Sequence, residues 1–314
     1  MKIKNVFTNY GEKARAGIQY AAVCALMSFL RVLPRAFDST TALAVGWIVY
    51  RANRKLRQTG ERNLQLAFAD MRRRERRRII LGSFVSVARM AVEFSRFATI
   101  TPETLRQTVD VEGLENLAAA RAGKHGVILV TAHLGAWELA AFTLSAFGYP
   151  FSFLVRRMEN PKVERLIDKT RTRFGNHTID KTSAAQRMLK ILRTGETLGL
   201  LVDINVPRSS GIFVKFFDRP ASTTFIAAKL ALRTGAAVLP VLMPWEPRRQ
   251  RFVLYLGAPL NIERTGDEEE DVRRLTYLYT QTIESFVRRY PDQWLWIHKR
   301  WRTRPMGEPN LYKM

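Results

Sequence analysis

One cysteine in 314 residues, Cys24, leaves no partner for an intramolecular disulfide and no ligand set for a cysteine-based zinc site. A chain with 46% hydrophobic residues does not need such staples, because it can bury a large core without covalent help. There is no Gly-x-Ser-x-Gly elbow, so a covalent acyl-enzyme has no obvious nucleophile. There is no His-Glu-x-x-His, and His125, His177 and His298 are scattered, so no metal is expected. Acidic residues are scarce, 28 against 51 Lys and Arg, which gives a formal charge of +23. Such an excess suits a polyanionic partner: nucleic acid, an anionic membrane surface or an acidic protein. Zinc-finger spacing, basic-zipper heptads and an RNP-like aromatic motif are all missing, so the nucleic-acid reading rests on net charge alone and none is expected to bind.

The basicity is regional. Residues 1–100 hold 19 basic against 6 acidic side chains, and so carry +13 of the total. Within them, Ala16 to Leu30 (AGIQYAAVCALMSFL) is apolar between Arg15 and Arg31. As a helix it would rise about 22 Å, short of a ~30 Å hydrocarbon core. A second apolar stretch, Thr41 to Tyr50, is followed by Arg51, Arg54, Lys55 and Arg57. Greasy faces bordered by cations suit an anionic membrane surface, and with no A-x-A-like cleavage site after the first stretch a retained anchor is expected. The run MRRRERRR, Met71 to Arg78, read alone is a solvated helix face; beside an anchor, each cation near an anionic leaflet is worth about 1 kcal/mol.

From about residue 108 short strands alternate with helices. VDVEG, GVILVT, FSFLV, TLGLLVD, IFVKFF, AAVLPVLM and RFVLYLG read as strands, and ENLAAARA, LGAWELAAFTLSAF, PKVERLIDKTRTRF, SAAQRMLKILR and TTFIAAKLALR as helices. That order predicts an α/β sandwich with a largely buried sheet. The expected organisation is an N-terminal helical membrane-association region over 1–100 and an α/β catalytic domain over 101–314.

His133 and Glu138 are the polar residues this pattern does not explain. His133 follows the strand GVILVT, at the carboxyl end where α/β folds commonly place their sites. On one uninterrupted helix the two would stand roughly 140° apart. With His133 in the turn and Glu138 in the first helical turns, the carboxylate could accept from one ring nitrogen and leave the other as a base. Gly135 suits such a turn. A base of this kind can activate a serine, a cysteine, water or a substrate hydroxyl; without a protein nucleophile, the hydroxyl is expected on the substrate.

HLGAWE, His133 to Glu138, resembles the His-x-x-x-x-Glu block of the late acyltransferases of lipid A biosynthesis, a branch of the lysophospholipid acyltransferase superfamily. The likeness continues in order along the chain. ERNLQLAFAD resembles the family's R-x-N-L-x-x-x-F segment, VEF around Glu93 a later helix, and VRRMENP its Y-R-x-x-x-N-P block, with Arg156 and Asn160 in matching places. RTRFG adds Arg171 and Arg173. LLVDIN, with Asp203, leads to GIFVKFFDRPASTT, and YPDQWLWIHKRWRTRP closely resembles the family's C-terminal hallmark. Ala136, Asn205 and Val206 depart from the common asparagine, D-Q-D-like and glycine positions.

The resemblance implies a glycerolphosphate-acyltransferase-like fold and transfer of a fatty acyl chain from an acyl carrier protein thioester to a hydroxyl of a phosphorylated glycolipid acceptor. The place implied is the bacterial inner membrane, with the catalytic domain facing the cytoplasm. His133 would take the hydroxyl proton and Glu138 would hold the imidazole, with no cofactor. Arg156, Arg171 and Arg173, with Asn160, would meet the sugar phosphates. Asp203, ending a buried strand, needs a partner: it either pairs with one of these arginines or orients the site, and pairing is expected. Trp294 and Trp296 are read as core packing. The alternatives are an acyl-CoA-dependent enzyme acting on another glycolipid, such as a mannosylated phosphatidylinositol, and a basic membrane- or nucleic-acid-binding protein without catalysis.

Overall fold

The computed structural model describes residues 2–180 and 184–313, with side chains from Arg15 onward. Four helices come first: α1 (Lys2–Val32), α2 (Asp38–Ala52), α3 (Arg54–Ala67) and α4 (Arg73–Arg96). The α/β part then runs α5 (Pro102–Thr108), β1 (Val109–Glu112), α6 (Leu114–Arg121), β2 (Val127–Thr131), α7 (Trp137–Ala146), β3 (Ser152–Val155), α8 (Pro161–Arg171), β4 (His177–Asp180), α9 (Ala184–Arg193) and β5 (Thr197–Leu201). It continues with β6 (Gly211–Phe216), β7 (Arg219–Thr224), α10 (Ile226–Thr234), β8 (Ala237–Leu242), β9 (Trp245–Glu246), β10 (Arg251–Leu256) and α11 (Glu268–Arg289).

The main sheet has the order β1-β10-β8-β2-β5-β3-β4, with β9 paired to β10. Pairing is parallel except where β10 meets β8 and β9, so the sheet is mixed. Its centre is β2, an apolar run whose side chains alternate between two clusters. Ile128 and Val130 face one, Val127 and Leu129 the other. Helices cover both faces, which gives the α/β sandwich the sequence pattern predicts. Two stretches differ from that pattern. IFVKFF is not in the main sheet; β6 pairs with β7 as a separate antiparallel hairpin, turned by Phe217 and Asp218 at positive φ. The long helix α11, capped by Asp267 and ending on Arg288 and Arg289, packs its buried face beside that hairpin.

The early helices share these cores. Leu64 and Leu66 of α3 and Ile79, Ile80 and Phe84 of α4 belong to the cluster that contains Ile128 and Val130. Gly46 of α2 lets the backbone of Val85 approach so closely that an added Cβ would sit 2.7 Å from its Cα. The outer faces of α1 and α2 are different. Of the large hydrophobic side chains exposed among the described residues, all but Met158, Tyr277 and Met306 lie between Ile18 and Val49. No single helix among the described residues is long and apolar enough to cross a membrane; Arg15–Val32 and Arg35–Ala52, bent by 108°, reach that length and composition together.

Candidate active site

Strand β2 delivers His133 to the turn before α7, as its place after GVILVT predicts. The turn is held from both sides by backbone. The Gly135 amide donates to the Gln293 carbonyl at 3.0 Å, Ala136 to Met243 at 2.8 Å, and Leu295 to the His133 carbonyl at 3.0 Å. Gly135 has φ +62°, and a Cβ there would stand 2.1 Å from the Met243 oxygen. Only glycine meets both conditions. The C-terminal Trp-Leu-Trp segment thus splints the His133 turn directly, a physical reason for these two distant blocks to occur together.

The imidazole partner is Asp203, not Glu138. Nδ1 of His133 lies 2.8 Å from Oδ1 of Asp203, and the His133 backbone N–H donates to Oδ2 at 2.8 Å. The indole N–H of Trp294 donates to the same Oδ2, also at 2.8 Å. Asp203 has left its strand by two residues and its side chain is wholly buried, so three donors replace the water it has lost. The expected pairing of Asp203 with an arginine is therefore corrected. Its neighbours are an imidazole, an amide and an indole, because the end of β5 lies alongside the end of β2, with the tryptophan segment closing over both.

Glu138, in the first turn of α7, is held by Arg171 of α8, with contacts of 3.0 Å from Nε and 2.5 Å from Nη2. The fork-to-fork geometry fixes both side chains and ties α7 to α8. Arg171 thus finds its charge partner inside the protein, and burial of the pair raises what its loss would cost.

The remaining sequence candidates separate. Arg156 lies at the end of β3 and lines the same cavity as His133, Glu138 and Arg171. Arg173 turns away and donates to the carbonyls of Phe97 and Ile100, which anchors the end of α4. Asn160 caps α8 through Lys162 N–H and donates to the Ala16 carbonyl at 2.8 Å, fastening α1 beside α8. Trp294 and Trp296 are fully buried, as core packing predicts, but Trp294 also holds the carboxylate that holds the histidine. A buried indole N–H and a buried strand-end aspartate each needing a partner is the sequence signal that could have joined them.

The cavity has a volume of about 270 Å³. Its polar end is His133, Glu138, Arg156 and Arg171; its walls include Leu144, Phe151 and Phe153. A charged mouth over an apolar sleeve suits an amphiphile. Burial, the largest influence on His133, disfavours its cation, but the charge and hydrogen bond of Asp203, helped by the charge of Glu138, outweigh it, so the ring titrates above its usual range. Burial also opposes ionisation of Asp203, yet its contacts with His133 hold it well below the usual carboxylate range. Behind them His298 donates to the Leu295 carbonyl from Nδ1 and is kept neutral by burial, its pKa lowered to about 4. Among the described residues no group of His, Cys, Asp and Glu is arranged to hold a metal ion.

The model of the bacterial lipid A biosynthesis acyltransferases matches residues 10–303. A lipid A biosynthesis acyltransferase of Haemophilus influenzae is 27% identical over 296 residues, covering 94% of this chain and 89% of that protein. The lipid A biosynthesis lauroyltransferase of Escherichia coli is 27% identical over 272 residues, covering 85% of this chain and 86% of the relative. The palmitoleoyltransferase of the same organism is 29% identical over 256 residues, 80% of each chain. With nearly the whole length matched, the chain belongs to the bacterial lipid A biosynthesis acyltransferase family and is an acyltransferase.

Proposed function

We propose that this protein transfers a fatty acyl chain from an acyl carrier protein thioester to a hydroxyl of a phosphorylated lipid A precursor at the inner membrane, with His133 as the general base. The single observation carrying the mechanism is the 2.8 Å contact between His133 Nδ1 and Asp203. It commits Nδ1 to donating and leaves Nε2 as the basic nitrogen of a side chain that lines the cavity. Nε2 takes the acceptor's hydroxyl proton, the oxygen attacks the thioester carbonyl, the C–S bond breaks, and the imidazolium returns the proton to the departing thiolate. Asp203 orients the ring and stabilises its cation. Glu138 adds negative charge nearby and holds Arg171, while Arg156 and Arg171 offer their cations at the cavity mouth to the acceptor's phosphates. Arg173 and Asn160 bind no substrate on this reading.

Exposed apolar side chains on α1 and α2, bordered by Arg51, Arg54 and Lys55, support attachment to an anionic membrane, and Asn160 brings α1 to the helix beside the cavity. The excess of positive charge supports an acidic donor protein. Mass spectrometry of total glycolipids from a host lacking its own lipid A acyltransferases tests the reading. One added acyl chain on the lipid A precursor when this protein is supplied supports it. An unchanged lipid A with acylation of a different glycolipid from acyl-CoA would replace it.

A further inference from the structure

A second cavity, about 350 Å³, lies where the Arg35–Phe37 turn, the start of α2 and the middle of α4 meet β10 and Trp245. It is separate from the catalytic cavity, although α7 contributes Leu139 to one and Glu138 to the other. Arg35, Arg89 and Arg251 all reach its wall.

The carboxylates nearby are already engaged. Asp38 is gripped by Arg96 through two contacts of 2.6 and 2.7 Å, and Asp110 by Arg251 at 2.8 Å. Glu93 has Arg35 at 3.6 Å; its burial, the largest influence, raises its pKa against the opposing charge of Arg35. Arg89 is the exception. Its guanidinium carbon stands 4.4 Å from the centre of the Trp245 ring and its Nε is buried without a hydrogen-bond partner; it feels the charges of Asp292 and Glu93, but among the described residues neither forms an ion pair with it. Arg89 lines the cavity without an ion-paired carboxylate, so the N–H groups of its guanidinium that reach the space are complementary to an anion that fills it.

We infer that this cavity binds a phosphate monoester, with the half-buried Arg89 as its anchor, Arg35 beside Glu93 at its mouth, and Ser39 and Gln107 as neutral hydrogen-bonding groups around it. Arg35 sits in the turn at the 108° bend between the two apolar segments, and its side chain is 41% exposed. The exposed side chains of Val32 and Phe37 flank that turn, so acyl chains attached to the phosphate would lie along α1 and α2. The same chemistry would accept free phosphate. This site does not depend on the acyl-transfer reading, and its test uses no turnover.

Full-length protein in uncharged detergent is titrated calorimetrically with inorganic phosphate and, separately, with dihexanoyl phosphatidic acid. Saturable one-site binding of the phosphatidic acid, tighter than that of phosphate, identifies a lipid headgroup; equal binding of both identifies the phosphate alone, and either result supports the site. Arg89→Met should weaken binding at least about tenfold, the loss of one charge-assisted pair of hydrogen bonds, whereas Arg77→Met, on the exposed arginine run, should leave it unchanged. If Arg89→Met does not fold by circular dichroism, Arg35→Met, at a half-exposed turn, carries the comparison with the same expected weakening. No saturable binding of either ligand to the unaltered protein overturns the inference, as does full affinity in the folded arginine variants.

Discussion

Oδ2 of Asp203 accepts both the backbone N–H of His133 and the indole N–H of Trp294, each at 2.8 Å, which leaves Oδ1 to face the His133 ring. The carboxylate is therefore fixed before any substrate arrives, and one tautomer of the imidazole follows from it. Three separate parts of the chain meet at this one side chain.

Asp203→Asn keeps the size of the group and removes its charge. A base must be neutral to act, so the rate should rise with pH through the His133 titration, which in the unaltered protein lies above the ordinary value of 6.5. Without the Asp203 charge the ring is easier to deprotonate, and the acid limb of kcat/KM should move to lower pH. The plateau should fall by about 10²- to 10⁴-fold, because the tautomer is no longer imposed. A pH–rate profile with an unmoved limb would count against Asp203 as the partner.

Glu138 and Arg171 should behave as a unit. Glu138→Gln or Arg171→Met alone leaves a largely buried charge unpaired, and each should cost about 1–3 kcal/mol in denaturant unfolding, discounted for the remaining exposure of both side chains. The double variant should lose less than the two single losses together. Glu138 acts on His133 through charge alone, so Glu138→Gln should move the acid limb less than Asp203→Asn does. A larger shift from Glu138 would restore it as the direct partner.

His298 ties stability to pH. Its folded pKa of about 4 lies below the ordinary 6.5, so between those values the unfolded chain binds more protons than the folded one. Stability should thus be highest above pH 6.5 and decline as pH falls towards 4, by on the order of 3 kcal/mol from this residue. His298→Gln should flatten that decline relative to the parent. Chemical denaturation at several pH values measures the difference.

Gly135→Ala should be severe. The positive φ is strained for alanine, and the new methyl would meet the Met243 carbonyl, which is backbone and cannot swing aside. A loss of about 3 kcal/mol or more is expected, with acyl transfer falling further than the folded fraction because the same turn carries His133. A fully stable and active Gly135→Ala protein would mean that the turn is not built as described.

The fold was legible where periodicity and turn chemistry act locally. The VILV run, short, rich in β-branched apolar residues and preceded by a glycine, reads as a buried strand, and a polar residue just after it falls at the carboxyl end of the strands. The histidine's location followed, but its partner did not. Glu138 is five residues away and Asp203 is seventy, and only the pairing of β2 with β5 brings the distant carboxylate nearer than the close one. Similarly, IFVKFF alternates like any strand, and nothing within it tells a separate hairpin from a main-sheet strand. Basic side chains were the least legible: Arg156 and Arg171 reach the cavity, whereas Arg173, two residues beyond Arg171, serves the end of α4.

The most direct measurement is single-turnover acyl transfer by His133→Gln, using purified enzyme, an acyl carrier protein thioester and the lipid A precursor. Folding and acceptor binding are checked in parallel. A glutamine can still face Asp203 but cannot take a proton, so transfer should fall at least about 10²-fold while acceptor binding is retained. Full transfer by a folded His133→Gln protein would contradict general-base catalysis by His133.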